Sequence, residues 1–215
     1  MQMHDGSFDM KQWLWMGMVC LLGLGQAQAW AAAIPKLTPV EGNPFAEEEC
    51  GKLYLQHQYK KAFSVCNQAA EQGSAGAQLK LGWMYVSGQG VKKSYAEAAK
   101  WYRKAAEQGY AKAQFMLGLI YANGEGVKKD YAEAVRWYRK AAEQGYARAQ
   151  FKLGVMYDNG DGVKQDYAEA EKWYRKAAEQ GDADAQFNLG WSYANGEGVK
   201  KDYAEAVRWY RKAAE

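Results

Sequence analysis

WYRKAAEQG at residues 101–109 returns unchanged at 137–145 and 173–181, and a fourth copy at 209–215 reads WYRKAAE. Successive copies stand 36 residues apart. A fixed period of this size signals a solenoid, in which each unit buries its apolar face against its neighbours. Outward from the repeated phrase, each period reads as two helices joined by a glycine-containing turn.

The first helix carries AQxxLGxxY, as in Ala113-Gln114-Phe115-Met116-Leu117-Gly118-Leu119-Ile120-Tyr121. Its Leu, Gly and Tyr fall at helical spacing and share one face. Asn123-Gly124-Glu125-Gly126-Val127 follows as a turn, with glycines for backbone angles that other residues resist. The second helix opens with a capping residue and a glutamate three places on: Ser94/Glu97, Asp130/Glu133, Asp166/Glu169 and Asp202/Glu205. A serine or aspartate there accepts a hydrogen bond from a first-turn N–H. Gly109, Gly145 and Gly181 close the second helices. Ala98, Trp101, Ala105 and their equivalents form the inward stripe, where alanine permits close helix approach. Glu133–Arg136 and its equivalents are i,i+3 pairs, each worth roughly a few tenths of a kcal/mol.

The pattern AQxxLGxxYxxGxGVxxDxxxAxxWYxKAAEQG resembles the Sel-1-like repeat, an α/α solenoid related to tetratricopeptide repeats. The resemblance implies an all-α fold, a right-handed α/α solenoid of helix-turn-helix units at 74–109, 110–145, 146–181 and 182–215. Residues 46–73 are similar to a shorter tetratricopeptide-like unit, with Gly51, Tyr54, Tyr59, Ala62 and Ala69 near the expected places. They lack the GxGV turn and read as a degenerate N-terminal cap. That alignment puts Cys50 where the repeats have Leu81, and Cys66 where they have Tyr102. Both then face the seam between the cap's two helices, which implies a Cys50–Cys66 disulfide; two buried free thiols are the alternative. Closing so short a loop contributes about 3 kcal/mol in the chain-entropy account.

Ahead of the cap, an apolar stretch at 13–25 follows Lys11 and precedes Ala27-Gln28-Ala29. A positive start, a short apolar core and an A-x-A site make residues 1–29 a secretory signal peptide, with Ala31 or Ala33 as alternative ends. The stretch is shorter than the about 20 apolar residues that span a bilayer, so no stable membrane span is expected after cleavage. Cys20 sits inside the apolar core, and Gly17-Met18-Val19 before it resemble a lipobox poorly. Asp5 and Asp9 are unusual before such a core, which makes Met10 the better start. Residues 30–45 hold all three prolines, Pro35, Pro39 and Pro44, and read as an extended linker. Cleavage removes Lys11, Asp5 and Asp9 and so moves the net charge from +3 to +4. It leaves Cys50 and Cys66 in an oxidising compartment. The periplasm is the expected location, the extracellular space the alternative.

The 215 residues contain 9 Trp, 16 Tyr and 6 Phe but only 2 His, which leaves little for acid–base or metal chemistry. The repeats have no histidine and no cysteine; His57 lies in a tight turn between Gln56 and Gln58. The GxG turns lack the Gly-Lys-Ser/Thr of a phosphate loop and follow helices rather than strands. Asp158, Asn159, Asp161 and Gly162 lack the alternate-residue spacing of a calcium loop. The expectation is therefore no enzyme, no metal and no cofactor. Some secreted cysteine-rich members of the resembled family are associated with penicillin binding and weak β-lactam hydrolysis. They carry cysteine pairs in successive repeats, whereas here only the cap has one, so a β-lactam- or peptidoglycan-related enzyme is the alternative reading. The mild net charge of +3 gives no ground for a nucleic-acid partner.

Residues 110–143 and 182–215 differ at five positions, all in the first helix: 110/182, 112/184, 116/188, 119/191 and 120/192. In tetratricopeptide-like solenoids the first helices line the concave surface. The resemblance thus points four columns into a groove: Gly76/Lys112/Arg148/Asp184, Leu79/Phe115/Phe151/Phe187, Trp83/Leu119/Val155/Trp191 and Val86/Ala122/Asp158/Ala194. Asn123, Asn159 and Asn195 sit at its edge. The Phe column has inter-repeat core as its alternative. The Trp83 column is the more accessible, since a tight core seldom exchanges Trp for Val. Exposed Trp flanked by charge suits peptide or helix capture. Basic against acidic residues count six to two, six to four, six to six and five to six along the repeats. Such a polarity orients a partner, or it is drift on a solvated face. With Trp209 and Tyr210 so near the last residue, the last helix either frays or supports self-association through repeat 4. The reading as a whole is a secreted protein-interaction scaffold, with an envelope or host-contact role permitted by the resemblance.

Overall fold

The computed structural model describes residues 44–215 as ten helices, with no strand among the described residues. The readings of residues 1–29 as a signal peptide, of Met10 as the start, of Cys20 and of the linker up to residue 43 lie outside the described residues. The cap is α1 (Pro44–Leu55) and α2 (Tyr59–Glu71). The four repeats are α3 (Ala75–Ser87) with α4 (Tyr95–Glu107), α5 (Ala111–Asn123) with α6 (Tyr131–Glu143), α7 (Ala147–Asn159) with α8 (Tyr167–Glu179), and α9 (Ala183–Asn195) with α10 (Tyr203–Ala213). Each helix packs against the one before and the one after it, giving an all-α solenoid. α1 starts at Pro44, inside the segment read as linker: proline suits a helix's first turn, where its missing N–H forfeits no bond.

Local chemistry sets the boundaries. Ser94, Asp130, Asp166 and Asp202 each accept a hydrogen bond from the backbone N–H of the glutamate three residues on, at 3.3, 2.9, 3.0 and 3.1 Å. After α4, the Gly109 N–H reaches Ala106 O and the Tyr110 N–H reaches Ala105 O, which satisfies the last carbonyls. In the α5–α6 turn, Gly126 has φ +70°, and a Cβ there would lie 2.5 Å from the Tyr95 carbonyl carbon. The GxG turn is thus an inter-repeat contact: its backbone lies against the start of α4.

Within each unit the seam is a tyrosine ring on a glycine. A Cβ on Gly82, Gly118 or Gly154 would fall 2.5, 2.5 or 2.6 Å from the ring of Tyr102, Tyr138 or Tyr174. Those three rings are among the largest fully buried side chains. In the cap no ring covers Gly51, and a disulfide joins Cys50 to Cys66 with Cα atoms 4.9 Å apart, both cysteines fully buried. The bridge occupies the place that Leu81 and Tyr102 hold in repeat 1, as the resemblance implied.

Between units a row of buried glutamines ties helix to helix. The Gln78, Gln114, Gln150 and Gln186 side-chain amides donate to the carbonyls of Ala70, Ala106, Ala142 and Ala178, at 3.0 to 3.1 Å. The first three also accept from Gln108, Gln144 and Gln180. A buried amide satisfied on both sides fixes register between repeats, because a slip would leave it unpaired.

Candidate functional site

The two helices of a unit dispose of their aromatic residues differently. On the second helices, Trp137, Trp173 and Trp209 are buried and Trp101 is half-buried. A lysine three residues on, Lys104, Lys140, Lys176 or Lys212, lies 4.0 to 4.3 Å over each ring. On the first helices, Trp83 is 47% and Trp191 52% exposed. Each follows a buried Leu-Gly pair, Leu81-Gly82 or Leu189-Gly190, so the core already takes the face beside it. Leu119 and Val155 at the equivalent positions are half-buried and pack on neighbouring core clusters.

The Phe column divides. Phe115 is 6% exposed, its ring held against Tyr138 and Tyr146, the latter from the next repeat. It takes the core alternative, because repeat 3 closes over it. Phe151 is half-buried against Tyr174, and Leu79 is half-buried. Phe187, against Tyr210, is 53% exposed, with no repeat among the described residues packed over it.

Of the charged column, Lys112, Arg148 and Asp184 are exposed. At Gly76 the cap closes the row: the Glu47 carboxylate lies against the glycine and accepts from Ser74 Oγ at 2.5 Å. Lys80, on the same helix face, has its ammonium 5.0 Å over the Tyr54 ring. Partial burial, then the nearby Lys112 charge, hold the Lys80 ammonium below the usual lysine range, against a smaller opposing pull from Glu47. Asp158 does not face out with its column. It accepts from the Tyr174 hydroxyl at 3.0 Å, turned toward its own repeat's second helix. Where that column holds Val86, the Tyr102 hydroxyl is buried without a partner. Burial raises the Tyr102, Tyr138 and Tyr174 hydroxyls above the ordinary tyrosine value. Asn123, Asn159 and Asn195 are exposed at the C-terminal ends of α5, α7 and α9, and Asn159 bonds Asp161 at 3.3 Å.

On the second-helix side, arginine meets the tyrosine of the next repeat: Arg103–Tyr121, Arg139–Tyr157 at 2.5 Å and Arg175–Tyr193 at 2.7 Å. An open cleft of about 780 Å³ lies at the last of these junctions, lined by Arg175, Tyr193, Lys200, Lys201, Asp202 and Glu205. The constant 18-residue offset of these pairs was present in the sequence but carries meaning only once the repeats are stacked. Glu171 is a further feature sequence reasoning passed over. It is buried where repeat 2 has Val135, and Arg175 pairs with it.

Among the described residues no group of three or more His, Cys, Asp or Glu is placed to hold a metal ion. His57 is exposed in the α1–α2 turn at φ +59°, with Nδ1 2.6 Å from the Tyr59 hydroxyl. No described helix is long and apolar enough to cross a membrane. The described first helices offer a surface with aromatic and charged relief.

The Sel1 repeat model matches residues 75–110, 111–146, 147–182 and 183–215. A solved Sel1 repeat protein from Oxalobacter formigenes is 41% identical, with TM-score 0.75 over 87% of this chain and 78% of that one. A protective antigen present in uropathogenic Escherichia coli strains, displaying an SLR fold, is 52% identical, with TM-score 0.69 over 71% of this chain. This chain spans only 32% of that antigen's length. Comparison with curated proteins yields no significant match.

Proposed function

The chain belongs to the Sel1 repeat family, and from that premise we propose that it is an exported scaffold holding a peptide or protein partner on its first-helix face. Sel1 repeat proteins are in general protein-interaction scaffolds. The observation that carries the reading here is the contrast in tryptophan placement. The second-helix Trp residues are core, whereas Trp83 and Trp191 stand half out of the surface on α3 and α9. Large rigid aromatics are the side chains from which interface hot spots are made. Crosslinking capture from the cell envelope, with wild type and the Trp83→Ala and Trp191→Ala variants, tests the assignment. Loss of a partner in either variant supports it; identical recovery by all three overturns it.

Export to the periplasm or beyond is the second part of the proposal. It rests on the composition of residues 1–29 and is supported by the relative that is a protective antigen. N-terminal sequencing of the protein recovered from the envelope tests it. A chain retaining residues 1–29 in the cytoplasm would contradict it.

Repeat 4 supports self-association as a further partner. A hollow of about 320 Å³ lined by Phe187, Tyr210, Ala213 and Ala214 is uncovered among the described residues, at the place where the following repeat packs in repeats 1 to 3. Sedimentation velocity of wild type against Phe187→Glu decides this: concentration-dependent dimerisation lost in the variant supports it, and a monomer at every concentration removes it.

A further inference from the structure

The cations of the two helix types are in different states. On the second helices, Lys100, Arg136, Lys172 and Arg208 each pair with the glutamate three residues earlier. The lysines one turn on from Lys100, Arg136, Lys172 and Arg208 lie over the tryptophan rings. On the first helices, Lys80, Lys112 and Arg148 make no ion pair among the described residues. The Lys112 charge adds to partial burial in holding the Lys80 ammonium below the usual lysine range, against an opposing pull from Glu47.

Repeat symmetry extends that pair along the array. Position 112 stands to 80 as 148 stands to 116 and as 184 stands to 152. The three junctions between first helices therefore carry Lys80/Lys112, then Met116/Arg148, then Lys152/Asp184. The first has two cations, the second one, and the third a cation beside an anion. Charge on this face thus declines from α3 to α9, with exposed Trp83 at the cationic end and Trp191 at the balanced end. Unpaired cations left side by side raise the energy of the empty face, and a ligand's carboxylates relieve it.

We infer that the first-helix face of repeats 1 to 3 recognises an acidic peptide segment, whose carboxylates lie over Lys80, Lys112 and Arg148 and whose apolar side chain packs on Trp83. The inference rests on the proposed scaffold function and adds the partner's chemistry and direction. The acidic part lies toward the cap, and the neutral or basic part lies toward Asp184. A peptide fits this face better than a nucleic acid, because the junctions carry only four cations, Lys80, Lys112, Arg148 and Lys152, and an anion closes each end, Glu47 at the cap and Asp184 in repeat 4.

The test uses the chain from residue 30 onward and three labelled probes: a glutamate–leucine peptide, its glutamine–leucine isostere, and oligothymidine. Fluorescence anisotropy is read at low and at physiological salt. The glutamate peptide is expected to bind, to weaken with salt, and to exceed the isostere by about tenfold or more. The double variant Lys112→Glu/Arg148→Glu should lose that margin. Lys100→Glu/Arg136→Glu changes net charge equally on the second helices and should keep it. Circular dichroism checks that both remain folded. Equal loss in the two double variants overturns the inference, since net charge alone would then account for binding. Oligothymidine binding as tightly, with the same dependence on Lys112 and Arg148, also overturns it. If neither peptide binds while envelope capture still depends on Trp83 or Trp191, the acidic chemistry falls and the scaffold function stands. If capture is indifferent to both tryptophans as well, both fall together.

Discussion

Residues 121–143 and 193–215 are the same 23 amino acids in the same order, yet they occupy different environments. In repeat 2 this stretch has repeat 3 packed on it; in repeat 4 nothing among the described residues follows. Val135 is 5% exposed, and its identical counterpart Val207 is 46% exposed. Tyr138 is fully buried and Tyr210 half-buried; Tyr131 is half-buried and Tyr203 exposed. Identical local propensity thus starts both second helices at the same place, Tyr131 and Tyr203, but gives neither the same length nor the same burial: α6 runs 13 residues and α10 runs 11. In a solenoid each face is completed by its neighbour, so burial belongs to the interface rather than to the segment.

The sharpest way to break this comparison is to delete the same side chain on both sides of it. Phe115→Ala should cost about 3–5 kcal/mol, because repeat 3 cannot collapse into the space. Phe187→Ala should cost about 1 kcal/mol or less, as a partly solvated side chain does. Equal shifts in urea unfolding would show that the two rings carry the same load. Gly118→Ala forces a methyl to within 2.5 Å of the Tyr138 ring, and should destabilise by about 1–3 kcal/mol. Gly190→Ala meets Tyr210 at 2.8 Å, but that ring has solvent to move into. The cost there should fall below that of Gly118→Ala, offset by alanine's better helix propensity of about 1 kcal/mol. Amide exchange gives a smaller and cleaner contrast, since identical sequences share intrinsic rates. The amides of α6 should exchange at least about tenfold more slowly than those of α10. Comparable protection would mean that the last repeat is covered in solution.

The smallest effect concerns alkali. Burial holds the Tyr102, Tyr138 and Tyr174 hydroxyls in their neutral form, with folded-state pKa values above the unfolded value of about 10. The stability they contribute is complete below that pH and is lost as pH rises toward the folded values. Tyr138→Phe keeps the ring on Gly118 and removes one such ionisation. It should therefore move the alkaline unfolding midpoint upward by a fraction of a pH unit. A midpoint that falls or stays would mean that the hydroxyl stabilises the fold.

What was legible in the sequence follows the range of the interactions. The capping bonds of Ser94, Asp130, Asp166 and Asp202 span three residues, so a local reading reaches them. The cysteine bridge spans 16 residues and became readable once the cap was laid against a repeat. The glutamine row joins Gln78 to Gln108 across 30 residues of one repeat and to Ala70 of the cap, and acquires a meaning only once the helices are packed. Phe115 and Phe187 stand at one position of the pattern, and no local rule separates their fates. Asp158 looked like a groove charge by its column, but a tyrosine hydroxyl on the next helix turned it inward.

Sequence by itself determined that this chain forms paired helices at a 36-residue period and where the second helix of each repeat is capped. Those follow from propensity, capping and periodicity, which act over a few residues. Tertiary structure alone decided which of two identical segments is core and which is surface, and it left Trp83, Trp191, Lys112 and Arg148 exposed. The physical reason is that hydrophobic burial and charge pairing are settled by whatever packs alongside, and in a repeat array that is the neighbouring repeat.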